Sequence, residues 1–210
     1  MRFKPSKHDR PIFGKLASQY NLTYFGTVAP EEYDDHNLVR GLTASPEQVD
    51  DNYTSGKIAG FDVIVLQRSH DIFDVKKGRK PQTWSMVQLD LGNVSLPRAF
   101  IGGKNKSDQY GSTLASYLRM YEIDPSSLTN PSIKQFGDAF AVYASASDMV
   151  TLRKILSPLV QNMLSAHFSA CDFELFDNKL IAYTTERPLK LTTIDKLLRI
   201  SVWLARQIVK

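Results

Sequence analysis

Residues 54–68 read TSGKIAGFDVIVLQR, and residues 83–91 read TWSMVQLDL. In the first stretch Phe61, Val63, Val65 and Gln67 alternate with Asp62, Ile64, Leu66 and Arg68. Successive strand residues point to opposite faces, so apolar groups at both parities predict an interior strand over 54–68. Gly56 and Gly60 predict a bulge or a close backbone approach within it. In the second stretch Trp84, Met86, Gln88 and Asp90 fall on one side, and Ser85, Val87, Leu89 and Leu91 on the other. The residues between, 69–82, hold Lys76, Lys77, Arg79, Lys80 and Pro81 and read as a long basic connection. The pattern is that of an antiparallel pair. A third strand is expected at Arg98–Ile101, returning beside the second in a simple meander.

Working outward, residues 9–20 predict a helix. Asp9 is placed to cap it, Pro11 sits near its first turn, and Ile12, Phe13, Leu16, Ala17 and Tyr20 form an apolar face. Leu22, Tyr24 and Phe25 read as a short strand ending at Gly26. Residues 29–52 carry Pro30, Pro46 and seven acids, which predicts an exposed connector with a short strand at Asn37–Leu42. A helix is expected over 107–121, then a strand over Ala139–Ala144. Ser147 is read as the cap of a helix whose apolar face includes Val150, Ile155, Leu156, Leu159, Val160, Met163, Leu164, His167 and Phe168. Pro158 should kink or split that helix, with Leu159 and Met163 still buried, because its ring clashes with the preceding turn. Phe173–Phe176, Asp177-Asn178 and Leu180–Thr184 predict a hairpin. A last helix begins at Thr192 or Thr193 and buries Ile194, Leu197, Leu198, Val202, Ala205, Ile208 and Val209.

This succession predicts an α+β fold, a mainly antiparallel sheet packed against an N-terminal, a middle and a C-terminal helix. No linker divides it, so one domain is expected over 1–210. Residues 1–53 supply a helix, a short strand and the acidic connector, and 54–210 the main sheet and helices. With 210 residues, 42% of them hydrophobic and 10% aromatic, the chain can bury a sizeable core. No apolar run reaches the length of a transmembrane helix. Arg2 and Lys4 are followed by Lys7, His8, Asp9 and Arg10 rather than by an apolar signal segment, so a cytoplasmic location is expected.

The residue types that carry chemistry do not assemble into a catalytic pattern. The four histidines, His8, His36, His70 and His167, lie too far apart for a helix-borne metal pair. His70, Asp71 and Asp74 offer a nitrogen and two carboxylates, but the preferred reading is a solvated loop. His167 is read as a core or edge histidine. Cys171 has no cysteine partner and no basic neighbour close in sequence, so it is read as a small buried or half-buried thiol. No nucleophile elbow is present. Gly102-Gly103-Lys104-Asn105-Lys106-Ser107 has glycines, lysines and a following helix, the physical parts of an anion site, without the spacing of a phosphate-binding loop. No catalytic residue, metal or cofactor is therefore assigned. The net charge of +4 is unevenly spread. Lys76, Lys77, Arg79 and Lys80, joined by Lys104 and Lys106, are the candidate anion-binding residues.

From about residue 54 onward the chain resembles an uncharacterised bacterial α+β domain family. The resemblance lies in Gly56, in Gly60-Phe61-Asp62, in Thr83 and in Leu96-Pro97. It continues through Phe136, Phe140-x-Val142, Asp148 and Ile155-Leu156-Ser157-Pro158. It implies a soluble α+β unit, in similar proteins sometimes tethered beside membrane helices, with no assigned reaction. The functional expectation is a non-enzymatic interaction or accessory domain with a protein partner. One alternative is a binder of nucleic acid, a phosphate ligand or an anionic membrane surface. Another is a small hydrolase whose site assembles only in three dimensions.

Overall fold

A computed structural model describes residues 9–28, 39, 41–74, 78–104, 119–124, 127–128 and 133–210, with the backbone alone at 72–74 and 78–80. In chain order the elements are α1 (Arg10–Tyr20), β1 (Thr23–Gly26), β2 (Val49–Ile58), β3 (Phe61–Asp74), β4 (Gly78–Asp90), β5 (Ala99–Gly103) and β6 (Tyr121–Ile123). There follow α2 (Lys134–Ala139), β7 (Phe140–Ala144), α3 (Met149–Ile155), α4 (Pro158–His167), β8 (Asp172–Phe176), β9 (Lys179–Thr184) and α5 (Leu191–Ile208). The fold class is α+β with antiparallel strand pairing, as the alternation of short strands and amphipathic helices predicts. The residues form two compact units. One takes the chain up to Asp90 with Ile181–Val202, the other Leu91–Leu180 with Trp203–Lys210.

In the first unit the strands lie in the order β1-β2-β3-β4-β9. The stretch read as one strand, 54–68, is a hairpin. Ile58 pairs with Phe61 across a two-residue turn in which Ala59 and Gly60 have φ of 53° and 91°. Such a turn needs positive φ at both positions. Ala-Gly lacks the Asn-Gly or Asp-Gly signature that marks such a turn in sequence, and the alternation alone does not reveal it. The expected close approach is found at Gly56, which packs against Leu22. The expected long basic connection is also much shorter. β3 and β4 pair continuously from Asp62↔Asp90 to Asp74↔Gly78, with Pro81 inside β4 opposite Asp71. Proline is tolerated in a strand where no ladder donor is required.

The acidic stretch is not a wholly exposed connector. Val39 and Thr43 are buried, and Asp50, Asp51 and Asn52 are buried residues of β2. Of the strand expected at Asn37–Leu42, Gly41 and Leu42 form a bend and turn, and Asn37, Leu38 and Arg40 lie outside the described residues. α1 buries Phe13, Leu16 and Ala17 and ends at Asn21, whose left-handed φ of 54° stops the helix while its N–H closes on the Ala17 carbonyl.

In the second unit the order is β8-β5-β7-β6. β5 is bonded on one side to β7 (Ile101↔Val142) and on the other to β8 (Ile101↔Phe173). Both of its edges are filled, so it does not return beside β4 as a simple meander requires. The turn Asp177-Asn178, with Asp177 at φ 54°, joins β8 to β9 as expected. Most of the helix expected over 107–121 lies outside the described residues, but its last residue, Tyr121, belongs to β6 and pairs with Ala144. α2 is too short to show a helical period in sequence.

Pro158 divides the middle helix. α3 ends at Ile155, and α4 begins at Pro158, where a missing N–H costs little. The restart resets the helical phase: Val160, Gln161 and Leu164 are buried, while Leu159 is 59% exposed and Met163 half-buried, against expectation. Ser147 does not cap α3. Its hydroxyl contacts that of Ser145, and Asp148 precedes the helix without a capping bond. In α5, Ile194, Leu197, Leu198, Leu204 and Ala205 are buried. Ser201 occupies the centre of that stripe, its hydroxyl donating to the Leu197 carbonyl at 2.7 Å. The stripe thereby passes Val202 by, leaving it half-buried, as is Ile208, with Val209 exposed.

A tight contact in β5 gives a test of the second unit. A Cβ added at Gly102 would stand 2.5 Å from Phe100 Cζ, and Phe100 is 1% exposed, so its ring has no room to move. Gly102→Ala is expected to cost about 1–3 kcal/mol of stability, as overpacking does. Urea unfolding of the two proteins measures it, and an unchanged midpoint contradicts the packing.

Candidate functional site

Two features of the described residues bear on function: a buried polar network in the first unit and a cleft in the second. The network follows from strand geometry. Adjacent residues Gln67 and Arg68 of β3 face opposite sides of the sheet, and both are buried. On one side Tyr24 Oη donates to Asn52 Oδ1 (2.8 Å), Asn52 Nδ2 to Gln67 Oε1 (2.8 Å), and Gln67 Nε2 to Asp9 Oδ2 (2.5 Å). Asp9 precedes α1, so its carboxylate ties that helix to β3 instead of capping it. A bulge positions the centre of the chain of bonds. Between Asp51↔Gln67 and Thr54↔Val65 β2 carries one residue more than β3, and Asn52 adopts φ 55° there.

On the other side Arg68, wholly buried, forms a two-pronged pair with Asp50: Nε to Oδ1 at 2.8 Å and Nη2 to Oδ2 at 2.7 Å. Nη2 also donates to the Val39 carbonyl (2.6 Å) and Nη1 to Thr43 Oγ1 (3.3 Å). The guanidinium thus holds Val39 and Thr43 on the sheet. At the margin Arg187 Nη1 donates to Ser85 Oγ (3.2 Å) and to the Glu186 carbonyl (2.9 Å). Burial of this guanidinium lowers its pKa from the ordinary value, and the charge of Asp9 opposes the shift. Burial likewise raises the Tyr24 phenol, against the nearby Arg10.

His70 lies on the Arg68 face, 8% exposed, its ring 4.8 Å from that of Trp84. Nδ1 contacts the Asp71 carbonyl at 3.1 Å, and Nε2 is buried with no hydrogen-bond partner. Being successive strand residues, His70 and Asp71 point to opposite faces and do not converge on one ion; the side chain of Asp74 is outside the description. His70 is accordingly a buried strand residue, not part of a solvated loop. Among the described residues no group of three or more His, Cys, Asp or Glu could hold a metal. His70→Phe keeps the ring contact and removes an unsatisfied buried nitrogen at the expense of one carbonyl contact. Its stability should be unchanged or rise by up to about 1 kcal/mol. A clear fall in the thermal midpoint would show that Nε2 is satisfied.

In the second unit a cleft of about 660 Å³ is lined by Gly103, Lys104, Gln135, Asp138, Ala139, Ser165, Ser169 and Ala170. Gly102 and Gly103 are strand residues of β5. The Gly103 N–H donates to Asp172 Oδ1 at 3.1 Å. Asp172 is 2% exposed, so the floor of the cleft is anchored from within.

Of the other residues singled out from sequence, Lys104 is exposed at the cleft, and Lys76, Lys77 and Lys106 lie outside the described residues. Arg79 and Lys80 belong to the start of β4, described by backbone alone. His8 and His36 also lie outside. His167 is exposed at the last turn of α4, not on an apolar face, because the restart at Pro158 shifts the helical phase. Cys171 is half-buried. No helix among the described residues is long and apolar enough to cross a membrane. The sequence reading missed Asp50 as the partner of Arg68, and the signal was faint: one arginine inside an apolar strand, which burial obliges to find a carboxylate.

Neither protein-family models nor curated proteins give a match to the chain. Among solved structures the fold is similar to that of the mycobacterial trehalose monomycolate transport factor A, TtfA, with 13% identity and a TM-score of 0.62. The alignment covers 96% of this chain and 93% of that one. At such identity the likeness establishes a shared fold.

Proposed function

We propose that the chain is a non-enzymatic accessory protein that acts in the cytoplasm by binding a protein partner. The observation that carries the reading is the end-to-end likeness to a transport factor, over 96% of this chain. The polar network fits the same reading. Asp9, Asp50, Gln67 and Arg68 each join one element to another, a use of buried polar groups that builds a scaffold. The test is site-specific photocrosslinking in cells of the native host, from the exposed apolar positions Phe25, Tyr121, Val150 and Leu159. The expected result is a discrete protein adduct from one position and not the others. That adduct should be weakened by an Asp substitution beside the crosslinking site. Adducts at background level from all four, or turnover of a substrate by the purified protein, would overturn the reading.

A second reading, binding of anionic partners through Lys76, Lys77, Arg79, Lys80, Lys104 and Lys106, is favoured by the pairing of β3 with β4 as far as Asp74↔Gly78. That pairing places Arg79 and Lys80 among the first residues of β4, at one end of a long ribbon. Wild type should then bind duplex DNA or anionic vesicles at low salt. On DNA the log–log salt slope should be about −0.9 per phosphate contacted. A variant with Lys76, Lys77, Arg79 and Lys80 changed to Ser should lose most of this. Equal binding by both proteins rules the reading out.

A further inference from the structure

We propose that the cleft of the second unit binds a neutral, polyhydroxylated molecule, a sugar of one or two rings. Its volume of about 660 Å³ falls within the range of roughly 300–1,000 Å³ common for small-molecule sites. The lining decides the class of ligand. Gly103, Ala139 and Ala170 contribute small apolar surfaces interleaved with the polar side chains, of the kind the C–H face of a sugar ring covers. The remainder mixes donors with acceptors. Lys104 and Gln135 supply N–H groups, and the Asp138 carboxylate accepts. The Ser165 hydroxyl shares its proton between the carbonyls of Gln161 (2.9 Å) and Asn162 (3.2 Å), so toward a ligand it can only accept. Hydroxyl groups both donate and accept and so match such a surface.

The floor is also preformed. A Cβ at position 103 would stand 3.1 Å from the Ser169 carbonyl oxygen, so the small residue keeps the strand close to the 169–170 turn. The bond from Gly103 N–H to the buried Asp172 fixes that strand end. A site held in shape before binding loses less entropy when the ligand arrives.

This inference needs no protein partner, so its failure is separate from that of the accessory role. The full chain is titrated with maltose, with octyl glucoside below its micelle concentration, and with sodium phosphate, followed by calorimetry and by amide chemical shifts of Gly103 and Ala170. Saturable binding of a sugar at millimolar concentration is expected. Asp138→Ala should weaken it about tenfold, the share of one hydrogen bond to a charged group. Ala170→Trp should fill the cleft and abolish binding. Both positions are exposed, and thermal unfolding checks that each variant is folded. Similar affinities for the two sugars point to a free sugar, and a much tighter octyl glucoside points to the sugar head of an amphiphile. No saturable binding of either, sugar binding that survives both substitutions, or tighter binding of phosphate than of maltose would overturn the proposal.

Discussion

Asp50→Ala should lose about 3–5 kcal/mol of stability, the largest effect expected of any single substitution in the first unit. The substitution leaves the Arg68 guanidinium, wholly buried, without its carboxylate. The Val39 carbonyl and Thr43 hydroxyl would remain as neutral acceptors. A buried cation loses far more on leaving water than two neutral hydrogen bonds return. The double variant Asp50→Leu/Arg68→Met should recover much of the loss, because removing both charges removes the desolvation penalty together with the attraction. The comparison matters for mechanism as well as stability. If the pair serves to hold Val39 and Thr43, the double variant should unfold at a similar urea concentration to wild type while the chain at those two residues becomes accessible to protease. An Asp50→Ala loss below about 1 kcal/mol would place the pair with solvent-exposed ion pairs, which contribute that little.

Deleting Leu191–Lys210 should abolish folding. α5 removes Ile194, Leu197, Leu198, Ile200, Leu204 and Ala205 from water. Each large aliphatic among them is worth roughly 1.5–3 kcal/mol when buried. Together they match the whole margin of about 5–15 kcal/mol that a domain of this kind possesses. Tyr20 Oη donates to Asp195 at 2.6 Å and Gln19 Nε2 at 3.1 Å, so α1 also loses its polar tie to α5. The truncated chain is expected to be insoluble or to show no cooperative thermal transition by circular dichroism. Limited proteolysis of the intact protein should spare the 191–208 segment until the whole chain unfolds. A stable fragment ending near residue 190 would contradict both expectations.

What the amino-acid sequence determined by itself is the material of the fold. The α+β class, the first helix, the Thr83–Leu91 strand, the Asp177-Asn178 turn, the break at Pro158 and most of the buried face of α5 are written in local periods and in turn and proline chemistry. These depend on residues within a few positions of one another, so they can be read without knowing what lies opposite. Tertiary structure decided the rest. Whether Ala59-Gly60 turns the chain depends on Ile58 meeting Phe61, and whether 69–82 loops or pairs depends on two strands matching over their full length. The place of β5 between β7 and β8 depends on which edges are available. Asp50 reads as one acid among seven until Arg68, buried across the strand pair, requires a carboxylate at that register. The cleft is assembled from β5, α2, α4 and the turn before β8, whose residues are separated by more than thirty positions of chain at one step. Sequence spacing carries no trace of such a constellation, because the chemistry of a lining depends on distance in space and on which side chains the core leaves uncovered.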